Sequence, residues 1–183
     1  MNDVKIIFTG PAGCGKATAI AVLADEPPVH TRQIIVEVVD EEMDESLETT
    51  VAMSYGNLCL PDQQKIHLYG VAEQERSAFI QNITTPNALG LVLLVANTAK
   101  DPRQDIAFFL ELYRDYINET AVVVGITHTD ITPLLTLEGY HQQLKECGFS
   151  GAVFEVDARS YQDMSCLVQT LLFTIDPALK YSA

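Results

Sequence analysis

The stretch Gly10-Pro-Ala-Gly-Cys-Gly-Lys16 follows an apolar run, Val4 to Thr9, and leads into a stretch with helical composition, Lys16 to Ala24. Glycines at three of the six positions before Lys16 allow the chain to turn so that successive backbone N–H groups point inward. A helix that begins directly after such a turn adds partial positive charge at its N-terminus. Because the spacing matches G-x-x-x-x-G-K-[ST], we expect a strand, a phosphate-binding loop and a helix here.

One position departs from that motif. Ala17 stands where a Ser or Thr hydroxyl binds magnesium, and Thr18 lies about 100° further around the helix, so it should not replace that hydroxyl. We therefore expect bound phosphate and, if any, a weakly held Mg²⁺, the alternative being a loop retained for its shape alone. The residues expected to line the phosphate site are Gly10, Gly13, Cys14, Gly15, Lys16, Ala17 and Thr18.

The composition limits the class of protein. The chain has 183 residues, of which 48% are apolar, and its 11 basic residues face 25 acidic ones for a net charge of -14. No basic run is present to neutralise phosphates of DNA or RNA, or to dock on anionic lipid, so we expect neither partner.

The cysteines and the apolar runs indicate in which compartment of the cell the protein is expected. The four cysteines form no C-x-x-C pair and have no neighbouring histidines, which suits a reducing compartment rather than a disulfide framework or a zinc site. The longest apolar run, Ala88 to Ala96, is too short to cross a bilayer, and the first residues lack the regions of a signal peptide. These features predict a soluble cytoplasmic protein without an integral membrane segment.

Apolar runs alternate with amphipathic stretches along the whole chain. The strand-like runs are Val4 to Thr9, Thr50 to Leu60, Lys65 to Tyr69, Leu89 to Ala96, Ala121 to Thr127 and Ala152 to Val156. The helical stretches are Lys16 to Ala24, Arg103 to Ile117, Leu137 to Cys147 and Gln162 to Ile175. This order predicts one α/β domain over residues 1–183 with the P-loop NTPase fold, a doubly wound, mainly parallel six-stranded sheet with one antiparallel hairpin turning at Pro61 to Gln64.

One further segment is rich in β-branched residues but has an acidic neighbour. Gln33 to Val39 has strand composition, and the acidic stretch Asp40 to Glu48 follows at once. The density of carboxylates in that stretch predicts a solvated, mobile loop.

Two short segments at strand ends predict which nucleotide base is bound. Thr127-His-Thr-Asp130 ends the Ala121 to Thr127 run, where small GTPases have Asn-Lys-x-Asp or Thr-Lys-x-Asp. A carboxylate at Asp130 can accept both N–H groups of the guanine edge, and the ring of His128 could stack on the base in place of the lysine stem. Asp157-Ala158-Arg159 ends the last strand, where Ser-Ala-Lys presents a backbone amide to guanine O6. Together with the phosphate loop, these segments favour guanine over adenine.

The middle of the chain carries a family resemblance. Glu48-Thr-Thr-Val-Ala-Met-Ser-Tyr-Gly56 and Leu68-Tyr-Gly-Val-Ala-Glu-Gln-Glu-Arg76 resemble the switch segments of a prokaryotic branch of the Ras-like small GTPases, and the resemblance runs over residues 3 to 175. That branch is related to the signal recognition particle receptor β subunit and to the gliding-motility GTPase. The resemblance implies that Thr50 senses magnesium and the γ-phosphate, and that Gln74 orients the attacking water. The alternatives are an ordinary strand threonine and a solvent-facing glutamine.

Other positions depart from the family pattern. Gly70 stands where most small GTPases have a magnesium-binding aspartate, although this branch often has glycine there, and Glu73 replaces a glycine whose amide senses the γ-phosphate. A glutamate there adds repulsion against a polyanion and removes backbone freedom. Val71 and Ala72 replace Thr-Pro. These changes predict slow or absent GTP hydrolysis.

We therefore expect a GTP- and GDP-binding protein that serves as a switch or as a scaffold for a protein partner. If it hydrolyses GTP, Lys16 stabilises the phosphate charge and Gln74 positions water. The resemblance implies a roadblock or longin-type regulator as the partner, contacting residues 49–79. Two alternatives stay open: a non-hydrolysing pseudo-GTPase and a small P-loop kinase, although Thr98 to Asp105 is too sparse in basic residues to be a kinase lid.

Overall fold

The computed structural model describes residues 4–40, 45–59, 65–71, 88–131 and 135–175, with the backbone alone for residues 32–40 and 45–52. Within these ranges the strands are β1 (Val4–Thr9), β2 (Val29–Asp40), β3 (Glu45–Cys59), β4 (Lys65–Val71), β5 (Ala88–Ala96), β6 (Val122–Thr127) and β7 (Ala152–Glu155). The helices are α1 (Lys16–Leu23), α2 (Pro102–Leu112), α3 (Arg114–Glu119), α4 (Leu137–Glu146) and α5 (Tyr161–Ile175).

The strands form one mixed sheet in the order β2-β3-β4-β1-β5-β6-β7. β1 pairs in parallel with β4 and β5, and the parallel pairing continues through β6 to β7. β3 is antiparallel to both of its neighbours, β2 and β4. The expected mainly parallel α/β architecture is therefore confirmed, and it is compatible with a P-loop fold.

The expected strand number is wrong, because the described residues form a seven-stranded sheet with β2 at one edge. Much of the acidic stretch that we expected to be a loop is strand: Asp40 pairs with Glu45, and Val36 pairs with Glu48. Residues 41–44 lie outside the described ranges. Strand pairing satisfies backbone N–H and C=O groups whatever the charge of the side chains, so acidic composition alone was a poor guide.

The helices differ from expectation at one point. The single helix expected over residues 103–117 is two helices, with Tyr113 between them at φ -107° and ψ 17°. α2 begins after Asp101, whose side chain accepts a hydrogen bond from the Gln104 amide at 3.1 Å. The expected turn at residues 61–64 lies outside the described ranges, but the flanking strands β3 and β4 are antiparallel as expected.

Apolar side chains cover both faces of the sheet. α1 and α5 pack on one face through a cluster that includes Ile20, Leu23, Met164, Leu167 and Leu171. α2, α3 and α4 pack on the other face, with Ile106, Phe109, Leu110, Ile117, Tyr140 and Leu144 in the core. This is the doubly wound arrangement that the continuous apolar runs predicted.

The winding of the chain positions the candidate site. α1 follows β1 on one face, whereas α2 follows the neighbouring strand β5 on the opposite face. Connections that leave adjacent strands in opposite directions open a crevice at the carboxyl ends of those strands. Residues 10–15, which we call the glycine loop, and the segment after β6 both lie at this edge.

Candidate functional site

The glycine loop has a backbone that few residue types can adopt. Gly10, Gly13 and Gly15 have φ values of 138°, 78° and 100°, respectively. A Cβ atom at Gly10 would lie 2.0 Å from the carbonyl oxygen of Leu94 in β5, so a side chain cannot fit there without moving that strand. The sequence pattern therefore produces the sharply curved loop that we expected before α1.

Lys16 extends across this loop. Its Nζ atom donates hydrogen bonds to the carbonyl oxygens of Gly10 and Pro11, each at 2.7 Å. The Cys14 Sγ atom is 3.6 Å away, and burial raises the pKa of that thiol more than the nearby ammonium lowers it. The cysteine therefore stays neutral beneath the loop, and Lys16 supplies the positive charge on its open side.

Two cavities meet at the glycine loop. The first, which we call the carboxylate cavity, has a volume of about 410 Å³, and its lining residues are Gly13, Gly15, Thr18, Thr127, His128, Thr129, Asp130, Ile131, Val156, Asp157, Ala158 and Arg159. The second, the lysine cavity, has a volume of about 730 Å³, and its lining residues are Ala12, Gly13, Gly15, Lys16, Ala17, Thr18, His30, Thr31, Met53, Ser54 and Gly70. The two cavities share Gly13, Gly15 and Thr18.

Thr127 ties the end of β6 to the glycine loop. Its hydroxyl, in a residue that is 1% exposed, lies 3.0 Å from the carbonyl oxygen of Cys14 and donates to it. The same oxygen is 2.9 Å from His128 Nδ1 and accepts from it, so Nε2 of a neutral His128 ring is an acceptor. Among the described residues, His128 is the only non-glycine with a positive φ, at 58°. The end of β6 and the glycine loop are thus joined by a hydrogen bond.

The segment after β7 is shaped by an ion pair. Arg159 donates from Nε and Nη2 to the carboxylate of Asp157 at 2.8 to 3.1 Å, and its backbone N–H donates to Oδ1 at 2.8 Å. These hydrogen bonds lower the pKa of Asp157 to about 2. Ala158, between Asp157 and Arg159 in the chain, packs against the glycine loop, since a Cβ at Gly15 would lie 2.8 Å from the Ala158 Cβ.

Asp130 also lines the carboxylate cavity. It belongs to a turn in which the Ile131 N–H donates to the His128 carbonyl at 3.4 Å, and its side chain is exposed. Asp130 and Asp157 give this cavity two carboxylates, and only Asp157 is neutralised by a bidentate arginine. The carboxylate of Asp130 is therefore available to accept hydrogen bonds from a ligand.

The lysine cavity contains residues that the sequence did not point to. His30 in β2 is paired with Ser54 in β3, and its Nδ1 lies 3.0 Å from the Ser54 hydroxyl. His30 belongs to no motif, and the resemblance that covers Ser54 implies no role for it. His30 and Ser54 are 24 residues apart in the chain, and the pairing of β2 with β3 brings their side chains together. No sequence motif joins the two residues, so the sequence could not predict this pair.

The described residues do not suit magnesium. Ala17 offers a methyl group, and Gly70 has no room for a side chain, because a Cβ there would lie 2.7 Å from Ile20 Cδ1 and 3.3 Å from Ser54 Cβ. The described lining of the lysine cavity includes no carboxylate, although Mg²⁺ is bound in proteins mainly through carboxylate and phosphate oxygens. No group of three or more His, Cys, Asp or Glu residues that could hold a metal ion occurs in the described ranges.

Most of the predicted site residues come together. Lys16 and Ala17 line the lysine cavity, while Thr127, His128, Asp130, Ala158 and Arg159 line the carboxylate cavity. Gly13, Gly15 and Thr18 border both, and Gly10 and Cys14 are buried at the base of the loop.

The predicted switch residues lie where the structure describes the backbone alone or nothing. Thr50 lies within β3, paired with Ile34, and its side chain is outside the described part of the chain. Gln74 and Glu73 fall within residues 72–87, which the structure does not describe. Their expected roles stay predictions.

No known family model matches the chain, and no curated protein gives a significant sequence match. In the described ranges, no helix is long and apolar enough to cross a membrane.

Proposed function

We propose that this chain is a guanine-nucleotide-binding protein of the Ras-like type that acts as a switch or scaffold for a protein partner. The observation that carries the proposal is that Gly13, Gly15 and Thr18 line both cavities, so the two cavities lie next to each other at the glycine loop. A nucleotide would then lie with its base in the carboxylate cavity, its phosphates along the glycine loop and its terminal phosphate in the lysine cavity.

The chemistry of each part supports the proposal. Asp130 presents a free carboxylate, which suits the two N–H groups that guanine offers along one edge and that adenine does not offer in that arrangement. Lys16, and the backbone amides expected of a glycine-rich turn before a helix, suit polyphosphate oxygens. A kinase would need, in addition, a pocket for its acceptor substrate and a basic lid, and the sequence predicts no such lid.

Slow hydrolysis is part of the proposal. Metal ions neutralise the developing charge in phosphoryl transfer, and an Ala at position 17 and a Gly at position 70 remove two residues that usually hold one. We therefore propose that the bound nucleotide lasts long enough to define a state that a partner reads. A pseudo-GTPase, in which hydrolysis is absent, is the second candidate, and the same two positions favour it.

The partner is proposed to be a roadblock or longin-type regulator that contacts residues 49–79. Tyr55 offers a described test position, because its ring stacks on His67 at 5.8 Å between centroids and remains half-buried. If partner recovery in pull-downs is unchanged by Tyr55→Ala, the interface lies elsewhere.

The nucleotide that co-purifies with the protein tests the proposal. We expect heat-released material to contain GDP or GTP in near-stoichiometric amount by ion-exchange chromatography. Asp130→Ala should reduce that amount, whereas Asp115→Ala, an exposed carboxylate in α3, should not. Adenine nucleotide in place of guanine nucleotide, or equal loss in both variants, would contradict the proposal.

A further inference from the structure

The lysine cavity contains a second basic side chain, His30, in addition to Lys16. We propose that this cavity holds the terminal phosphate of a nucleoside triphosphate without a divalent metal ion, and that the His30 imidazole donates a hydrogen bond to that phosphate in place of the ion. This inference rests on the proposed nucleotide binding and adds a residue to it.

The location of His30 gives the first step. Asp130 and Arg159 line only the carboxylate cavity, whereas Gly13, Gly15 and Thr18 line both cavities. His30 and Ser54 line only the lysine cavity. A nucleotide with its base beside Asp130 therefore extends its last phosphate toward His30.

The charges in the cavity give the second step. The charged or titratable side chains among its described lining residues are Lys16 and His30, in a protein with a net charge of -14. Among the described residues of the lining, an ammonium, an imidazole, two threonines and a serine offer donors to an anion, and none of them offers an anionic ligand to a cation. The geometry therefore favours phosphate oxygen over Mg²⁺.

The support of the imidazole gives the third step. The Ser54 hydroxyl lies 3.0 Å from His30 Nδ1, and the backbones of the two residues are paired across β2 and β3. With Nδ1 fixed by Ser54, Nε2 is the ring atom left for a ligand. Ser54 in turn packs beside Gly70 of β4, where a Cβ would lie 3.3 Å from the Ser54 Cβ, so the residue that contacts the histidine is itself held by packing.

Binding of GDP and a non-hydrolysable GTP analogue, measured in Mg²⁺ and again in EDTA, tests this inference. We expect the affinity of the wild-type protein for the analogue to change by less than about threefold between the two conditions. In EDTA, His30→Ala should weaken the analogue by about tenfold and GDP much less, since one charge-assisted hydrogen bond to the terminal phosphate is lost.

Further variants distinguish loss of the His30 hydrogen bond from a general effect of substitution or a loss of folding. His30→Arg should retain the preference for the triphosphate, His30→Gln should retain part of it, and His141→Ala in α4 should leave it unchanged. Thermal melting of each variant without nucleotide identifies loss of folding. Binding that is strong in Mg²⁺ and abolished by EDTA, or a His30→Ala protein with wild-type preference, would overturn the inference while leaving the proposed function intact. Failure of the wild-type protein to bind any guanine nucleotide would refute the proposed function itself.

Discussion

The carboxylate cavity and the lysine cavity share the glycine loop but differ in how their side chains are held. Around the carboxylate cavity, Thr127 bonds to the loop, and Arg159 pairs with Asp157. Around the lysine cavity, Lys16 bonds to the backbone of its own loop, and His30 bonds to Ser54. The described charges have opposite character, with two carboxylates and an arginine in one cavity and only basic groups in the other.

Under the proposed function, this difference assigns recognition of the base to the carboxylate cavity and binding of the phosphates, with slow hydrolysis, to the lysine cavity. In that assignment, Asp130 in the carboxylate cavity selects the base, and the hydrogen bond from Thr127 to Cys14 links the neighbouring strand end to the glycine loop. Under the same proposal, Lys16 in the lysine cavity holds phosphate, and the described lining of that cavity has no carboxylate that would place a metal for hydrolysis. A protein of this kind is expected to retain nucleotide better than it consumes it.

Lys16→Met is the change with the largest expected effect. It removes the ammonium from the lysine cavity while keeping an apolar stem of similar length, so GDP affinity should fall by about a hundredfold or more, as for loss of two charge-assisted hydrogen bonds. Isothermal titration measures this effect. Because Lys16 also bonds to Gly10 and Pro11, circular dichroism should accompany the titration. A folded variant with wild-type GDP affinity would show that the lysine cavity does not hold phosphate.

Asp130→Ala should act on the other cavity and less strongly. Loss of two hydrogen bonds to the guanine edge is expected to weaken GDP by about thirtyfold, or ~2 kcal/mol, and to leave any weak ADP binding unchanged. Competition against a fluorescent nucleotide measures both affinities. If GDP and ADP weaken equally, Asp130 supports the loop rather than reading the base.

The two cavities were not equally predictable from sequence. The glycine loop, Thr127, Asp130 and Ala158 belong to short local motifs whose conformations depend on nearby residues, so they could be assigned directly. The pairing of His30 with Ser54 and the β2 edge strand could not, because their arrangement depends on pairing between distant segments. The acidic residues around Asp40 suggested solvent exposure, yet backbone pairing there does not depend on side-chain charge.

Ala17→Thr sharpens the comparison at the metal position. The added hydroxyl should provide one ligand for Mg²⁺, so GDP binding in Mg²⁺ should tighten by up to about tenfold, with little change in EDTA. Dissociation rates of labelled GDP with and without EDTA measure the effect. Equal rates in both conditions for this variant would show that the lysine cavity cannot accept the ion even with the hydroxyl restored.

Asp157→Asn should have the smallest effect, because the pair with Arg159 is exposed. Arg159 lowers the folded-state pKa of Asp157 to about 2, below the value of about 3.9 for an unfolded chain. The stabilisation is therefore present above about pH 4 and is lost as the pH falls through about 2. The wild type should melt slightly higher than Asp157→Asn at pH 5, and the difference should shrink toward pH 2. A difference that grows on acidification would contradict the assignment.

Guanine recognition is tested by titrating labelled GDP and ADP into nucleotide-free protein under identical buffer conditions. Because Asp130 offers an available carboxylate beside the glycine loop, GDP should bind at least about tenfold more tightly than ADP. Equal affinities, or a preference for ADP, would contradict the assignment of this chain as a guanine-nucleotide-binding protein.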